Sequence, residues 1–364
     1  MYPALSVLQA LTASANASAV TCLWVGGEGG MEADLVQRAG LPFDAIPAAG
    51  VHGVGLRALP GNLLRLARGV AAARRILRRF QPDVLLFTGG YVAVPMAAAL
   101  RLAGRSPLPK TLLYVPDIEP GWALKVLAQL ADHIAITVED SRRFLPRRIP
   151  TTVSGYPVRS DLKPWPRRQA LETLGLQEDG TPILLVNGGS KGARSINRAA
   201  LANLPQLLSE MQVIHISGKL DWPEVEAARA GLAAPTVENS QRYHPYPYLH
   251  DEIGAAFSVA DLVVSRAGAS TLGEYPLFGL PAVLVPYPHA WRYQRVNADY
   301  LARRGAAEVL ENAELPEKLL PLIQALIRDG SRRQAMRQAM RSQFVPQAAA
   351  ALAGLLESLA GKGR

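Results

Sequence analysis

Short apolar runs alternate with longer helical patterns along the chain, and this alternation most constrains how the chain folds. In the first half the strand-like runs are FDAIPA, PDVLLFTGG, TLLYV and HIAITV, and the segments between them carry apolar residues at helical spacing. Before them, YPALSVLQAL has the pattern of a buried helix and AVTCLWVGG that of a strand. Strands that alternate with helices are typical of βαβ units around a parallel sheet. The sequence therefore predicts an α/β protein.

The same alternation of strand-like and helix-like patterns starts again in the second half. GYPVRSDLKPWPRRQA contains three prolines and no period, which is typical of a linker, and the strand-like runs TPILLVNGG, MQVIHISG, LVVSRAG and PAVLVPYP follow it. A chain of 364 residues is also too long for one ordinary core. We therefore predict two doubly wound Rossmann-like domains that face a cleft, over residues 1–157 and 158–342. The apolar helix in 343–364 should pack back toward the N-terminal domain.

Composition excludes several classes of protein. Apolar residues at 49% and charged residues at 19% indicate a packed globular chain, and the apolar stretches are too short or too interrupted for a membrane span. The first 19 residues lack the basic start of a signal peptide. Cys22 is the single cysteine, which excludes a disulfide scaffold and a cysteine metal site. A net charge of +9 predicts an anionic partner.

The most informative loop is GGSKGARSIN, directly after a predicted strand. Gly188, Gly189 and Gly192 let the backbone approach a ligand closely, and a helix is predicted to start near Ser190. The free amides and positive dipole end of that helix suit a phosphate. The spacing fits neither the P-loop nor the dinucleotide fingerprint. An ordinary tight turn between a strand and a helix is the alternative.

A second loop, SRAGASTLGE, repeats the arrangement. A helix is predicted to start at Ser270 and Thr271, with Glu274 about one turn into it. A carboxylate there can accept both hydroxyls of a ribose, as in dinucleotide sites. Alternatively, Glu274 only interacts with the helix dipole. FTGGYVAVP and WVGGEGGME are weaker glycine loops in the first half.

Metal chemistry has little support in the sequence. LLYVPDIEP ends in Asp117 and Glu119, a pattern that holds a divalent cation in a different class of sugar transferase. The polar residues His289, Arg292, Gln294 and Asn297 follow another strand, but no histidine pair has the spacing of a zinc site. We expect neither a metal nor a cofactor.

Taken in order, the motifs resemble those of one family. GMEADLV, AGLPFDAIPAAGVHG, FTGGYVAVP, GYPVR, GGSKGARSIN, HISGK and SRAGASTLGE resemble the MurG-type UDP-N-acetylglucosamine:lipid I N-acetylglucosaminyltransferases of peptidoglycan synthesis. The resemblance covers nearly the whole chain and implies the two-domain GT-B fold of glycosyltransferase family 28. It implies a metal-free, inverting transfer in which the muramyl 4-hydroxyl attacks the anomeric carbon as UDP leaves.

The resemblance also implies functional residues. In the second domain, Gly189, Ser190, Lys191 and Gly192 would face the diphosphate of UDP-N-acetylglucosamine, Glu274 the ribose and the backbone of His250 the uracil. Further donor contacts would come from Ala269, Ser270, Thr271, Leu272, Gln294, Asp117 and Arg159. In the first domain, Gly89, Gly90 and Tyr91 would line the pocket for the diphosphate of the undecaprenyl-linked muramyl-pentapeptide acceptor.

The chain departs from the family pattern at four places. Asp117 stands in YVPD where HEQN is usual, so an amide donor becomes an acceptor. The usual glutamine pair is Tyr293-Gln294, and Lys191 replaces a common glutamine. Family members begin with a strand and a loop GGTGGHxxPAL whose histidine is the usual catalytic or acceptor-contacting candidate. This sequence starts at MYPAL, so we expect the natural start to lie upstream.

One helix is strongly basic. PGNLLRLARGVAAARRILRRF carries Arg65, Arg68, Arg74, Arg75, Arg78 and Arg79 beside apolar residues. This pattern suits an anionic membrane surface, or else a core-facing helix with a solvated basic face. No nucleic-acid-binding module supports a nucleic-acid partner. We expect a peripheral enzyme on the cytoplasmic face of the cell membrane. The rival hypotheses are a sister transferase acting on another glycolipid and a nucleotide-sugar-binding remnant without activity.

Overall fold

The computed structural model describes residues 2–13, 20–30, 32–48, 59–90, 92–102, 108–189, 192–232, 239–288 and 293–361. The chain divides into two compact units. Unit 1 comprises Met1–Arg159 and Pro346–Arg364, and unit 2 comprises Ser160–Val345.

The strands are short, and every paired neighbour is parallel. They are β1 (Trp24–Gly27), β2 (Phe43–Ile46), β3 (Val84–Phe87), β4 (Lys110–Val115), β5 (His133–Ile136), β6 (Thr151–Val153), β7 (Ile183–Asn187), β8 (Gln212–Ile216), β9 (Tyr243–Tyr246), β10 (Leu262–Ser265), β11 (Ala282–Leu284) and β12 (Ala307–Val309).

The helices lie between the strands and at the two ends of the described chain. They are α1 (Tyr2–Thr12), α2 (Glu32–Arg38), α3 (Leu59–Phe80), α4 (Ala93–Arg101), α5 (Trp122–Ala128), α6 (Arg167–Leu174), α7 (Arg194–Ala202), α8 (Leu204–Glu210), α9 (Trp222–Leu232), α10 (Ile253–Val259), α11 (Glu274–Phe278), α12 (Tyr293–Arg303), α13 (Leu315–Arg328), α14 (Gly330–Arg341) and α15 (Ala348–Gly361).

Unit 2 contains one six-stranded sheet in the order β12-β11-β10-β7-β8-β9. Every residue of β8 and β10 is buried, as expected for central strands with helices on both faces. Numbered from β7, this order is the 3-2-1-4-5-6 of a doubly wound domain, with its switch point between β7 and β10. The predicted α/β class with parallel Rossmann-like sheets is confirmed.

In unit 1 the described strands form two sheets. β1 pairs with β2, and a second sheet has the order β3-β4-β5-β6. The C-terminal helix α15 packs against α1, β3 and β4, with Leu352 and Leu356 buried beside Leu112 and Tyr114. The apolar face of that helix is therefore covered within unit 1.

A cavity of about 950 Å³ lies between the two sheets of unit 1. Residues of β1 and β3 line it from two sides, and Val7, Leu8 and Leu11 of α1 contribute apolar side chains. Cys22 also lines this cavity, and burial raises the pKa of its thiol.

The structure corrects several strand predictions. The predicted strand AVTCLWVGG is a strand only over Trp24–Gly27, because its partner β2 begins after Pro42, which has no amide hydrogen to extend the ladder. β6, β9 and β12 were not predicted. All three lie at sheet edges, and β9 contains Pro245, which an edge strand tolerates. The linker prediction over 155–170 is wrong at its end, since α6 begins at Arg167.

Candidate functional site

The switch point of unit 2 brings two of the predicted loops together. Asn187, the last residue of β7, is in register with Ser265, the last residue of β10. The loops GGSKG and RAGAS follow these two residues directly, so both begin at the same level of the carboxyl edge. In open parallel sheets ligands bind at this position.

The glycine loop after β7 is held tightly against the end of β8. The amide of Gly188 donates to the carbonyl oxygen of Ile216 at 2.7 Å. Gly192 has a φ of +89° and Gly218 a φ of +80°, and a Cβ on Gly218 would lie 2.2 Å from the amide nitrogen of Gly192. Both positions therefore need glycine. Because Gly192 has left-handed backbone, α7 starts at Arg194, later than the predicted start near Ser190.

The amides of the first turn of α7 lie at this loop. The first bond within the helix runs from the Asn197 amide to the Ala193 carbonyl, at 2.9 Å. The preceding amides of Arg194, Ser195 and Ile196 belong to a first turn, where helical amides have no intrahelical acceptor. This end of the helix carries the positive end of its dipole.

A buried network of polar side chains packs against the glycine loop that follows β7. The Nδ2 of Asn197 donates to the carbonyl oxygen of Ser217 and to Oδ2 of Asp221, both at 2.9 Å. Asp221 also accepts from Nε of Arg194 at 3.2 Å. A Cβ on Gly192 would lie 2.6 Å from that same Oδ2, so the carboxylate packs directly against the loop.

His215 extends the network into the core. Its Nε2 lies 3.1 Å from Oδ1 of Asn197 and its Nδ1 lies 2.8 Å from the Tyr243 hydroxyl. Because the amide oxygen only accepts, Nε2 carries the proton and Nδ1 accepts from the hydroxyl. Burial lowers the pKa of His215 to about 4, so the ring is neutral at pH 7. Its role is structural.

The loop after β10 forms a short 3-10 helix, Ala269–Leu272, before α11. The Thr271 hydroxyl donates to the carbonyl oxygen of Gly268 at 2.7 Å and closes this turn. Glu274 is the first residue of α11, so the prediction of one helix from Ser270 is wrong. Pro276 has no amide hydrogen to donate to the carbonyl oxygen of Leu272, so the 3-10 helix does not continue into α11. A proline is tolerated in the first turn of a new helix.

Two other predicted donor residues lie in segments that follow strands at the same edge of the sheet. Gln294 is the second residue of α12, and its Oε1 accepts from the Tyr287 amide at 2.9 Å. His250 follows β9 and is exposed, with its ring edge-on to Tyr248 at a centroid distance of 4.6 Å. Gly189, Gly192, Ala269, Ser270, Thr271, Leu272, Glu274, Gln294 and His250 thus all lie in the segments that follow carboxyl ends of the unit 2 sheet.

Four of the remaining predicted residues lie in the described part of unit 1. Gly89 and Gly90 follow β3, with φ values of +107° and +86°, and Asp117 follows the adjacent strand β4. Arg159 stacks on the Tyr2 ring, 5.0 Å from its centroid. Ser190, Lys191 and Tyr91, and the polar pair His289 and Arg292, lie outside the described residues.

Glu119 has a local partner. It is 2% exposed, and its Oε1 lies 3.2 Å from Nζ of Lys125. Over the described ranges no three or more His, Cys, Asp or Glu side chains are grouped as a metal site would require.

The sequence analysis missed Asn197, Gly218 and Asp221, which hold the glycine loop, and Arg266, whose Nη2 donates to the Ser195 hydroxyl at 2.8 Å. The sequence did contain a signal for Asn197, because it is a polar residue on the otherwise apolar, buried face of α7. For Asp221 and Arg266 we find no signal, because their partners come from distant parts of the chain.

Comparison with known proteins identifies related chains. The profile of the glycosyltransferase family 28 N-terminal domain matches residues 1–108, and that of the family's C-terminal domain matches residues 183–352.

Curated relatives match over nearly their full length. The UDP-N-acetylglucosamine--N-acetylmuramyl-(pentapeptide) pyrophosphoryl-undecaprenol N-acetylglucosamine transferase of Roseiflexus sp. (strain RS-1) is 40% identical, covering 99% of this chain and 92% of the relative. The enzyme of the same name from Desulforudis audaxviator (strain MP104C) is 36% identical, covering 100% and 96%.

Solved structures share the fold. The crystal structure of Acinetobacter baumannii MurG has a TM-score of 0.74 at 28% identity, covering 98% of this chain and 95% of that one. A UDP-GlcNAc 2-epimerase from Neisseria meningitidis has a TM-score of 0.63 at 13% identity, a likeness of fold alone.

Proposed function

Because the chain belongs to glycosyltransferase family 28, we propose that it transfers N-acetylglucosamine from UDP-N-acetylglucosamine to undecaprenyl-diphosphate-linked N-acetylmuramyl-pentapeptide. The observation that carries this proposal is the full-length similarity, at up to 40% identity, to curated transferases that bear this activity in their names. The two loops and the helix N-terminus at the switch point of unit 2 support a donor site at that position. The chain is thus a UDP-sugar-dependent glycosyltransferase of peptidoglycan synthesis.

The diphosphate of the donor is proposed to bind at the N-terminus of α7. Gly189, Ser190, Lys191 and Gly192 precede this helix, and the amides of its first turn suit an anion. The rigid packing of Gly192 on Gly218 supports a fixed loop. A preorganised set of amides favours the charge that develops on UDP as it leaves.

The nucleoside is proposed to lie over the loop after β10. Residues Ala269–Leu272 form a closed turn there, and Glu274, the first residue of α11, is proposed to accept the ribose hydroxyls. The backbone of His250 is the proposed partner of uracil. The Oε1 of Gln294 is used by the Tyr287 amide, which leaves its Nε2 to donate to a sugar hydroxyl.

The transfer itself is a substitution at the anomeric carbon. The 4-hydroxyl oxygen of the muramyl residue forms a new bond to that carbon, while the bond to the β-phosphate oxygen of UDP breaks. The configuration inverts, the hydroxyl proton passes to a base, and the leaving electron pair goes to UDP. In unit 1, Gly89 and Gly90 have left-handed backbone at the end of β3, and with Tyr91 they are the proposed binding segment for the acceptor diphosphate.

Membrane attachment is proposed to involve α3. No described helix is long and apolar enough to cross a membrane. One face of α3 is exposed, and its residues are spaced three, four or seven apart: Leu64, Arg68, Arg75 and Arg78. This face is opposite the buried Ala73 and Leu77. Basic side chains beside exposed leucine suit an anionic lipid surface. The enzyme would act peripherally, at the cytoplasmic face of the membrane that holds its lipid-linked acceptor.

A transfer assay tests the function. Purified protein is given radiolabelled UDP-N-acetylglucosamine and the undecaprenyl-linked muramyl-pentapeptide, and the lipid product is counted. We expect labelled lipid from the wild type, and a loss of at least about tenfold in kcat/KM for Glu274→Ala, because the ribose loses a charged partner. The exposed Glu172, whose partner is Arg168, supplies the control Glu172→Ala.

Two results contradict the proposal. Transfer only to a different glycolipid would make the chain a sister transferase. Binding of UDP-N-acetylglucosamine without transfer to any acceptor would make it a nucleotide-sugar-binding protein. If Glu274→Ala leaves UDP affinity unchanged, the nucleotide placement is wrong.

A further inference from the structure

Arg266 makes an unusual set of contacts at the switch point. It directly follows β10, and its Nη2 donates to the Ser195 hydroxyl at 2.8 Å. Its Nη1 donates to Oδ1 of Asn312 at 2.9 Å and to the carbonyl oxygen of Val285 at 3.2 Å. The guanidinium also lies over the Tyr287 ring, 5.2 Å from the centroid.

These partners follow three strands, β7, β11 and β12, which together with β10 are four consecutive strands of the sheet. Ser195 is in the first turn of α7 after β7, Val285 and Tyr287 follow β11, and Asn312 follows β12. Since the sheet order is β12-β11-β10-β7, the guanidinium spans the loops on both sides of its own strand. Ser195 and Asn312 are further joined by a hydrogen bond of 2.7 Å.

The two ends of this cluster belong to different parts of the proposed donor site. Ser195 lies on the helix end proposed for the diphosphate. Tyr287 donates its amide to Gln294, the proposed sugar contact, at 2.9 Å. Arg266 is therefore the residue that links the diphosphate segment to the sugar segment.

The hydrogen-bond partners of Arg266 carry no charge. Its partners are hydroxyl, amide and carbonyl oxygens, and no carboxylate in the described part of the chain forms an ion pair with it. Arg266 is partly buried, and this burial lowers the pKa of its guanidinium. A half-buried cation of this kind, at a carboxyl edge, favours an anion nearby.

We propose that Arg266 is a positioning residue for the donor, which fixes the spacing between the diphosphate-binding turn of α7 and the sugar-binding loop at Tyr287 and Gln294, and adds positive charge near the diphosphate. This inference rests on the proposed function. Two separable effects follow. The planar fork of the guanidinium sets the spacing, which a lysine cannot reproduce, while the charge is one that a lysine retains.

The test compares Arg266→Lys and Arg266→Gln by calorimetric binding of UDP and UDP-N-acetylglucosamine, with kcat and KM for transfer. We expect Arg266→Lys to keep UDP affinity within about threefold and to lose about tenfold or more in UDP-N-acetylglucosamine affinity. Arg266→Gln should lose about tenfold or more for both ligands, because the charge is gone as well. The kcat of both variants should fall, since the leaving group and sugar are no longer held in one geometry.

Arg242→Lys is the matched control. Arg242 is also largely buried and donates to the carbonyl oxygen of Leu208 at 3.2 Å, but it lies at the start of β9, at the opposite edge of the sheet. This variant should bind both ligands like the wild type. Equal losses for UDP and UDP-N-acetylglucosamine in both Arg266 variants would indicate a general structural role and overturn the proposal, as would wild-type affinity in Arg266→Gln. If the wild type itself fails to bind UDP-N-acetylglucosamine, the proposed function fails instead.

Discussion

At the residue scale, the contact between Gly218 and Gly192 fixes the loop proposed for the diphosphate. A Cβ on Gly218 would lie 2.2 Å from the nitrogen and 2.4 Å from the Cα of Gly192. Gly218→Ala must therefore displace the loop. We expect the affinity for UDP-N-acetylglucosamine, measured by calorimetry, to fall by about tenfold or more. The free energy of unfolding should fall by roughly 1–3 kcal/mol, because the alanine strains the backbone.

Gly180→Ala separates the two effects of that substitution. Gly180 has a φ of +79°, close to the +80° of Gly218, but nothing lies within 4 Å of its Cβ position. It should show the backbone strain without the loss of affinity. If Gly218→Ala binds the donor as well as Gly180→Ala does, the loop is not held in the way described.

Also at this scale, His215 makes stability depend on pH. Its pKa is about 4 in the folded protein and ordinarily 6.5, so below pH 6.5 the unfolded chain binds a proton that the folded chain does not. The stability that this group contributes is therefore present above pH 6.5 and is lost as pH falls toward 4. We expect this group alone to lower the free energy of unfolding by about 3 kcal/mol between pH 7 and pH 4. Denaturant unfolding at a series of pH values over this range measures the change.

His215→Gln removes the titrating ring and keeps a donor for Asn197 and an acceptor for Tyr243. The variant should be less stable at pH 7 and show a shallower fall between pH 6.5 and 4. A slope equal to that of the wild type would assign the acid sensitivity to other groups, such as His244, whose pKa burial also lowers.

Single residues differ in how far the sequence predicted them. Gly189 and Gly192 were predicted because glycine next to a strand end is itself a local signal. Arg266 and Asp221 were not, because their contacts depend on which strands are neighbours. Arg266 meets Ser195 across 71 residues of chain, and no local pattern records that separation.

At the element scale, α3 has two distinct faces. Ala73 and Leu77 are buried, and Gly69 lies so close to the carbonyl oxygen of Pro47 that a Cβ would be 2.1 Å from it. The opposite face carries arginines and, in the second turn of the helix, the exposed Leu64. One face thus packs on the core and the other is proposed to contact lipid.

Removing charge from the exposed face tests that proposal. We expect the combined variant Arg68→Gln, Arg75→Gln and Arg78→Gln to lose binding to vesicles containing anionic phospholipid, measured by co-sedimentation. Each arginine near a charged surface contributes about 1 kcal/mol, so the loss is on the order of a hundredfold. The midpoint of thermal unfolding should change little, because these side chains are exposed.

The control is a second triple variant in unit 2, with Arg168, Arg198 and Arg303 changed to Gln. These residues are also exposed, and the change in net charge is the same. It should keep vesicle binding. If both triple variants lose binding equally, net charge rather than α3 is responsible.

Elements also show where sequence patterns carry less information. The buried strands β4, β7, β8 and β10 are mostly apolar and were predicted. The edge strands β6, β9 and β12 were missed. An edge strand is short and half-covered, so it lacks the apolar run that marks a buried strand.

At the scale of the whole molecule, the sheet order of unit 2 is what brings the proposed donor site together. The order places β7 beside β10, although 74 residues lie between Asn187, the last residue of β7, and Leu262, the first residue of β10. The alternation of strands and helices predicted parallel sheets in both halves. Which strands are neighbours is decided by the right-handed crossovers and by packing, so the site could only be assembled from the structure.

The central claim is that UDP-N-acetylglucosamine binds at the switch point of unit 2. A crystal structure of the full chain with this donor tests it most directly. The account predicts electron density for the diphosphate at the first-turn amides of α7, between the carboxyl ends of β7 and β10, with the ribose next to Glu274. Density for the diphosphate at any other edge or loop of the protein would contradict it.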